Sequence, residues 1–351
     1  MKVYIICPYN MSGGPRSLHQ LGNKLIQQGL DVYVYYGYRE KAFETNTPLY
    51  SDSKMKIAHD IEDKKENLLI VPESDTGWLS KYHNIKKVIW WLSLYFYLEN
   101  NIWWLSKFRT KFLSQPIFFA YLRYLHIKIK NPTVRYLYPN DLKKVDYHLY
   151  NCEYVHNYLI AHDIPKSKME YLCGPIDIAQ NDKHEVFSKK TNLVLYNPAK
   201  ASPYMLKKIL KYMQRKYPNY KLQPLQGISH DDVLKFLKIS KVYLDLGYFP
   251  GPERMPREAC MNYCNIITST VGAAANKKDV PIPNNFKFDL KKENVPKICK
   301  LIVDMCDNYE HYVSYYDEYR EKTIGQINSF ESNVSDFVKN IKLINEKVND
   351  E

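Results

Sequence analysis

Apolar runs alternate with amphipathic stretches along the first half of the chain. Short, largely apolar runs predict strands at residues 2–7, 32–36, 67–72, 87–92 and 145–151. Leucines recur at helical spacing over 18–29, and a second helix is predicted at 153–162. Parallel strands joined in this way need a right-handed helical crossover. The pattern predicts a doubly wound α/β domain.

A second series of the same kind follows residues 165–177, which predict a short strand, a Gly-Pro turn and, at their end, an interdomain linker. Strands are predicted at 192–196, 221–225, 241–246 and 265–268, helices at 204–216, 229–239 (N-cap Ser229) and 256–263, and a mostly helical stretch at 295–348. The expected organisation is an N-terminal Rossmann-like domain over 1–176, a C-terminal Rossmann-like domain over 177–325, and a helical tail over 326–351.

The length supports two domains. A chain of 351 residues exceeds the size at which one hydrophobic core stops growing, so two domains facing across a cleft are expected. The first apolar run ends at Pro8 and is too brief for a secretory signal peptide. Other apolar runs are interrupted well short of a membrane span. The expected location is therefore the cytoplasm, without a transmembrane helix.

Cysteine usage and charge narrow the class of protein further. The seven cysteines include no Cys-x-x-Cys pair, and their odd number argues for buried thiols in a reducing compartment. Cys260 and Cys264 stand one helical turn apart, but no matching His or Cys pair lies near them, so packing is favoured over metal binding. A net charge of +12 predicts an acidic partner, which can be nucleic acid, anionic lipid or a phosphorylated substrate.

The segment 100–140 is basic and aromatic and contains no Asp or Glu. Its cations alternate with large apolar residues and are Lys107, Arg109, Lys111, Arg123, Lys128, Lys130 and Arg135. This composition suits helices in a membrane interface, where cations meet anionic headgroups. Two interpretations stay open. Either the segment docks on an anionic membrane surface, or its aromatic residues pack on the N-terminal domain and only its cations are solvated.

Candidate ligand-binding residues lie where predicted strands end. Gly13 and Gly14 come between a strand and a helix, where they let backbone approach a ligand and offer helix N-terminal amides to an anion. Asn197 and Lys200 follow a strand of the second series, at the carboxyl edge where open α/β sheets bind ligands. The Lys200 cation is well placed there for a diphosphate.

Charge is concentrated in residues 250–259, Pro-Gly-Pro-Glu-Arg-Met-Pro-Arg-Glu-Ala, which join a strand to a helix. The carboxylates of Glu253 and Glu258 can accept paired hydrogen bonds from sugar or ribose hydroxyls, and the forks of Arg254 and Arg257 fit phosphate oxygens. An ordinary helix start, with Glu offsetting the dipole and Arg on the solvated side, explains the same composition. Both interpretations stay open on composition alone.

The order of elements resembles the GT-B glycosyltransferases, and is similar to glycosyltransferase family 4, from residue 2 to about 283. The resemblance rests on Ser12-Gly-Gly-Pro15, on 165–177, on 197–200, and on Glu253 to Glu258 followed by 266–273. In that family a Pro-x-x-Glu-Ala helix start is preceded by another Glu, and the pair holds the donor sugar and the ribose. Glu258, followed by Ala259, matches the second Glu, and Lys200 resembles the phosphate-binding Lys.

The chain departs from the family pattern in its spacing. The family separates its two Glu residues by seven positions, whereas four separate Glu253 from Glu258, and Pro250 stands where the first Glu is expected. Glu253 fits the sugar-binding role only from a shifted loop. The family's Gly-Gly-x-x-Glu is represented by a stretch that begins at Gly272.

The resemblance implies transfer of a sugar from a nucleoside diphosphate sugar to a glycan or lipid-linked hydroxyl, with retention of anomeric configuration and no protein nucleophile. Bacterial surface polysaccharide synthesis is the expected context. No Asp-x-Asp metal motif is present, so Lys200 with Arg254 or Arg257 is expected to stabilise the leaving diphosphate, and no cofactor or metal is expected. Glu73 and Ser93, at other strand ends, are acceptor-side candidates.

Three other functions fit parts of the sequence. A sugar-nucleotide epimerase of the same fold shares the donor site. A catalytically inactive, membrane-associated scaffold keeps the 100–140 surface without binding a nucleotide sugar. A nucleic-acid-binding protein explains the charge of +12, but the cations are interleaved with large apolar residues and no known binding motif is present, so no nucleic-acid partner is expected.

Overall fold

The computed structural model describes residues 1–37, 47–113, 115–130, 139–177 and 183–349; Arg135 lies outside them. Twelve strands are present: β1 (Lys2–Ile6), β2 (Asp31–Tyr35), β3 (Lys56–Ile57), β4 (Leu68–Pro72), β5 (Lys86–Trp91), β6 (Tyr147–Tyr150), β7 (Met169–Tyr171), β8 (Thr191–Tyr196), β9 (Lys221–Pro224), β10 (Ser240–Asp245), β11 (Asn265–Ser269) and β12 (Lys287–Phe288). The helices of the described ranges are α1 (Gly13–Gln27), α2 (Leu94–Leu98), α3 (Ile102–Lys111), α4 (Ile117–Lys130), α5 (Glu153–Ile160), α6 (Lys183–Ser188), α7 (Pro203–Lys216), α8 (His230–Ile239), α9 (Arg254–Met261), α10 (Val295–Asp307), α11 (Tyr309–Val313) and α12 (Asp317–Asn349).

The chain divides into two compact units. The first comprises Met1–Ile102, Leu122–Pro175 and Gln326–Glu351, and the second comprises Trp103–Tyr121 and Ile176–Gly325. Each unit contains one parallel sheet, with strand order β3-β2-β1-β4-β5-β6-β7 in the first and β12-β11-β10-β8-β9 in the second. In both sheets the order reverses beside a central strand, which is the arrangement of a doubly wound fold.

Strand β1 lies inside the first sheet, between β2 and β4, and contributes to the core of the first unit. Val3 pairs with Val32 of β2 on one side and with Leu68 of β4 on the other. Leucines of α1 pack against this sheet together with residues 330–341 of α12, which contribute Phe330, Val334, Phe337, Val338 and Ile341. The residues from 326 onward, predicted as a tail, therefore complete the apolar core of the first unit.

The second unit is built around β10, which pairs in parallel with β8 and β11. Val242, Tyr243 and Ile266 are fully buried in this sheet. The Tyr316 hydroxyl donates to the Ile266 carbonyl oxygen at 2.8 Å, so the helical region after α11 is joined to β11.

Helix α3 packs two of its aromatic residues, Trp104 and Phe108, in the second unit, whereas Trp103 on the same helix is 82% exposed. The Trp104 ring stacks on Phe108 with centroids 4.9 Å apart, and Phe108 meets the Tyr248 ring edge-on at 5.2 Å. Internal packing, one of the two interpretations of residues 100–140, therefore accounts for only part of this segment. The rings of Trp104 and Phe108 pack internally, though on the second unit rather than on the N-terminal domain, whereas Trp103 and most large side chains of α4 are exposed.

Candidate functional site

The carboxyl edge of the second sheet brings together residues that are far apart in sequence. Lys200 follows β8, Asp245 ends β10, and Glu253 immediately precedes α9. The Lys200 ammonium contacts Glu253 Oε2. A cation and a carboxylate predicted from separate strand ends therefore meet at one point.

A glycine allows the two strand ends to approach each other. Gly247 pairs with Ala201 in an isolated antiparallel bridge. A Cβ atom at Gly247 would lie 2.8 Å from the Lys200 carbonyl oxygen and 3.1 Å from Asp245 Oδ1. Any larger residue would displace the backbone that carries Lys200, so this position requires glycine.

The start of α9 is not an ordinary capped helix start. Glu253 occupies the N-cap position, but its side chain makes no capping hydrogen bond and contacts Lys200 instead. An ordinary helix start would leave Arg257 in solvent. Arg257 is only 3% exposed, and its Nε donates to the Glu253 carbonyl oxygen at 3.4 Å. The ordinary helix start therefore fails for Arg257, which is folded inward, whereas Glu253 keeps the N-cap position and pairs with Lys200.

Glu258 is the most deeply buried acid of this group, with 1% of its surface exposed. Its Oε1 lies 3.3 Å from His230 Nε2 and 3.8 Å from Arg254 Nε. Arg254 also reaches Asp177, with Nη2 3.3 Å from Oδ2. The carboxylate is thus held beside basic groups on two different helices, α8 and α9.

The two remaining donor-side candidates shape loops. Gly272 has a φ of +68°, and a Cβ atom there would lie 2.1 Å from the Phe249 carbonyl oxygen, so a glycine is needed to let the loops after β10 and β11 pair. Asn197 folds the loop after β8, where its Oδ1 accepts a hydrogen bond from the Ala199 backbone N–H at 3.0 Å.

Burial shifts the titration of Lys200 and Asp245 in opposite directions. The pKa of Lys200 is lowered by burial, and the negative charge of Asp245 opposes that shift. The pKa of Asp245 is raised by burial, and Lys200, the Tyr243 hydroxyl and the Gly247 amide oppose that shift. Each buried charge therefore depends on the other.

Sequence reasoning did not select Asp245 or His230. The sequence does contain a feature that could have identified Asp245. It is an acidic residue next to the last position of the predicted strand 241–246, and ligands of open α/β sheets bind at the carboxyl ends of the strands. His230 follows the predicted N-cap Ser229, whose hydroxyl accepts from the Asp232 backbone N–H as expected. Its partnership with Glu258, 28 positions away, is visible only in the structure.

The first sheet gathers the remaining candidates around Leu92. Glu73, only 3% exposed, accepts the Leu92 backbone N–H at 2.7 Å, and the Asn151 side-chain amide donates to the Leu92 carbonyl oxygen at 2.9 Å. Ser93 is the N-cap residue of α2, and a Cβ atom at Gly14 would lie 3.9 Å from Leu92 Cδ1. Gly13 and Gly14 form the first turn of α1, two residues of helix that the sequence predicts as a loop.

Burial raises the pKa of Glu73 to about 8, although hydrogen bonds from the backbone of Leu92 and Ser93 oppose the shift. Unfolding restores an ordinary carboxyl pKa, so the unfolded chain loses this proton at lower pH than the folded chain. Stability from this group is therefore complete in mild acid and is lost as the pH rises toward 8.

Glu73→Gln should remove this pH dependence while keeping an oxygen that accepts the Leu92 amide. We expect the unfolding temperature of the variant to equal that of the wild type near pH 5 and to exceed it by about 5 °C near pH 8. The matched control is Glu66→Gln at an exposed position. A constant difference between variant and wild type across this range, measured by thermal unfolding, would contradict the shift.

Within the described ranges, no group of three or more His, Cys, Asp or Glu side chains is placed to hold a metal ion. In the same part of the chain, no helix combines the length and apolar character needed to cross a membrane. All seven cysteines are free and buried, as predicted.

Comparison with known proteins finds relatives in structure only: no protein-family model and no curated protein sequence matches the chain. Sucrose-phosphate synthase from Thermosynechococcus elongatus superposes with a TM-score of 0.59 and 13% identity over 98% of both chains. WaaG, a glycosyltransferase involved in lipopolysaccharide biosynthesis, superposes with 0.58 and 12% over 96% of this chain and 99% of its own. Anabaena HepE, solved in complex with UDP, gives 0.53 and 9% over 97% and 100%.

These similarities extend over nearly the whole of each chain, which means that they cover both units rather than one common domain. The two parallel sheets and their helices are those of the GT-B fold, and the predicted fold class is confirmed. At these identities the similarity concerns the fold.

Proposed function

We propose that the chain transfers a sugar from a nucleoside diphosphate sugar to a hydroxyl of a glycan or lipid-linked acceptor. The observation that carries the proposal is the contact of Lys200 with Glu253 at the carboxyl edge of the second sheet, in the segment that also carries the buried Glu258. Cations for a diphosphate and carboxylates for hydroxyls are the groups that a nucleotide sugar requires. The glycosyltransferases among the structural relatives support the same class of reaction.

Lys200 is proposed to stabilise the charge that develops on the departing diphosphate, with Arg254 or Arg257 as a second cation. Lys200 is neutralised by Glu253 in the structure, and Arg254 by Asp177 and Glu258. A bound diphosphate would compete for these cations. Glu253 would then be free to accept hydrogen bonds from the sugar hydroxyls, as a shifted counterpart of the family's first Glu.

Glu258 is proposed to accept hydrogen bonds from the ribose hydroxyls. His230 and Arg254 flank its Oε1 and fix the direction of the carboxylate. Gly272 and Asn197 would shape the donor loops, Gly13 and Gly14 would offer backbone amides, and Glu73 and Ser93 would lie on the acceptor side. Fixed cations, rather than a metal or cofactor, are proposed to neutralise the leaving group, since the sequence has no Asp-x-Asp motif.

Finer features of the proposal rest on the family resemblance and on the relatives. Retention of anomeric configuration is proposed from the similarity to family 4. Surface polysaccharide synthesis on the cytoplasmic side of a bacterial membrane is proposed because one structural relative is described as acting in lipopolysaccharide biosynthesis. HepE, solved with UDP, makes uridine diphosphate sugars the first donors to try.

The test is a thermal-shift screen of nucleoside diphosphate sugars, followed by a transfer assay with the best ligand. A donor at 100 times its Kd should stabilise the folded chain by about 2.7 kcal/mol, which is a shift of several degrees. Absence of a shift with every nucleotide sugar would contradict the proposal and favour an inactive scaffold. Isomerisation of the sugar nucleotide without an acceptor would instead identify an epimerase.

A further inference from the structure

Helix α4 turns its apolar side outward. Phe119 and six further large side chains on it are 45–76% exposed, and those six are Ile117, Phe118, Tyr121, Leu122, Leu125 and Ile129. At about 100° per residue they fall within a sector of about 140° on one face of the helix. We call these six residues the α4 face. A helix on a globular protein ordinarily buries such a stripe.

The opposite side of α4 is the one that is anchored. Ala120 is fully buried, and Arg123 makes a bidentate pair with the buried Glu99, with Nε 3.1 Å from Oε2 and Nη2 3.1 Å from Oε1. The side opposite the α4 face thus holds the helix in place through Ala120 and Arg123, while the α4 face stays open. This anchoring fixes which face of the helix the protein presents.

The segment that carries the α4 face contains cations and no carboxylate side chains. Residues 100–140 contain no Asp or Glu, and the whole chain carries a net charge of +12. Lys128 lies on α4 itself with its ammonium over the Tyr124 ring at 5.4 Å, and Lys107 and Lys111 are exposed on the preceding helix. An excess of cations next to exposed apolar and aromatic groups complements a surface that is anionic outside and apolar within.

We propose that α4 lies in the interface of an anionic lipid bilayer, with the α4 face in the boundary between headgroups and acyl chains. The 14 residues of α4 are too few to span a bilayer, which needs about 20. They are enough for a helix that lies in the plane of the interface. The proposal does not depend on sugar transfer, because lipid binding is measured without any nucleotide sugar.

The experiment measures co-sedimentation of the full chain with phosphatidylcholine vesicles, with and without 30% phosphatidylglycerol. The wild type should bind the anionic vesicles, less strongly as salt is added, and should bind the neutral vesicles weakly. The triple variant Tyr121→Ser/Leu125→Ser/Ile129→Ser should bind the anionic vesicles at least tenfold less. Serine at these exposed positions leaves the core unchanged, so the unfolding temperature should stay that of the wild type.

A matched control replaces one tyrosine and two isoleucines that are exposed elsewhere, Tyr204→Ser/Ile160→Ser/Ile228→Ser. This control should bind as the wild type does. A second variant, Lys128→Glu, should weaken binding to anionic vesicles alone. Equal binding by the wild type and the triple serine variant would overturn the proposal. A second outcome would also overturn it. If analytical ultracentrifugation shows that the wild type is a dimer and the triple serine variant a monomer, a second copy of the chain covers the α4 face.

Discussion

Replacing Lys200 by methionine is expected to lower the rate of sugar transfer by about 10²–10³-fold, because a fixed cation at a departing anion commonly contributes that much. Methionine keeps the aliphatic stem and removes only the charge. The loss leaves Asp245 without its neighbouring cation, but burial already raises the pKa of this carboxyl, so it can take up a proton and the fold should persist.

The matched control for Lys200→Met is Lys235→Met, at an exposed lysine of the same unit that pairs with Asp232. Its transfer rate should be that of the wild type. Glu258→Gln complements both, because it should raise the KM for the donor more than it lowers kcat if Glu258 holds the ribose in the ground state and the transition state alike. Wild-type kinetics in both Lys200→Met and Glu258→Gln would refute the site assignment while leaving the GT-B fold untouched.

Ending the chain at Gly325 is expected to unfold the first unit. Phe330, Val334, Phe337 and Ile341 are 0–3% exposed in its core. At about 1.5–3 kcal/mol for each buried side chain, their removal costs on the order of 10 kcal/mol, which is comparable with the entire stability of a domain. We expect an insoluble or protease-sensitive product.

A chain that ends at Lys342 is the control for this truncation, because it keeps all of these buried side chains. Its unfolding temperature should stay within a few degrees of the full chain. Within the full chain, Phe337→Ala should cost about 3–5 kcal/mol, since it opens a cavity in the same core. A chain ending at Gly325 that unfolds at the temperature of the full chain would show that α12 adds nothing to the first unit.

Much of the fold was predictable because the strands are buried parallel strands, which read as continuous apolar runs. The predicted boundaries of β1, β8 and β10 differ from the observed ones by at most one residue at each end. The two-residue strands β3 and β12 were not predicted, since such short segments carry no periodic signal. The apolar pattern of α12 does not show which of the two sheets this helix covers. Its contact with the first unit joins residues about 300 positions apart, such as Lys24 and Glu331.

The candidate site was predictable as a set of residue types and strand ends, but its partnerships were not. In a parallel sheet the carboxyl ends of all strands lie at one edge, so residues that follow predicted strands are expected there. Lys200 and Glu253 meet at this edge. That Glu253 reaches Lys200 instead of capping its own helix depends on the packing of loops that a linear pattern does not encode. The outward orientation of α4 is equally invisible in sequence, because an amphipathic pattern does not tell which face is covered.

The order in which the first unit acquires its core follows from where its residues lie along the chain. Its strands are complete at Tyr171, yet the residues of α12 that join α1 in covering them begin at Phe330. At roughly 5–20 residues per second, a ribosome needs on the order of ten to thirty seconds to cross that interval. During synthesis the last residues of the second unit therefore precede the part of α12 that completes the first core, and the apolar side chains that α12 covers stay exposed until then.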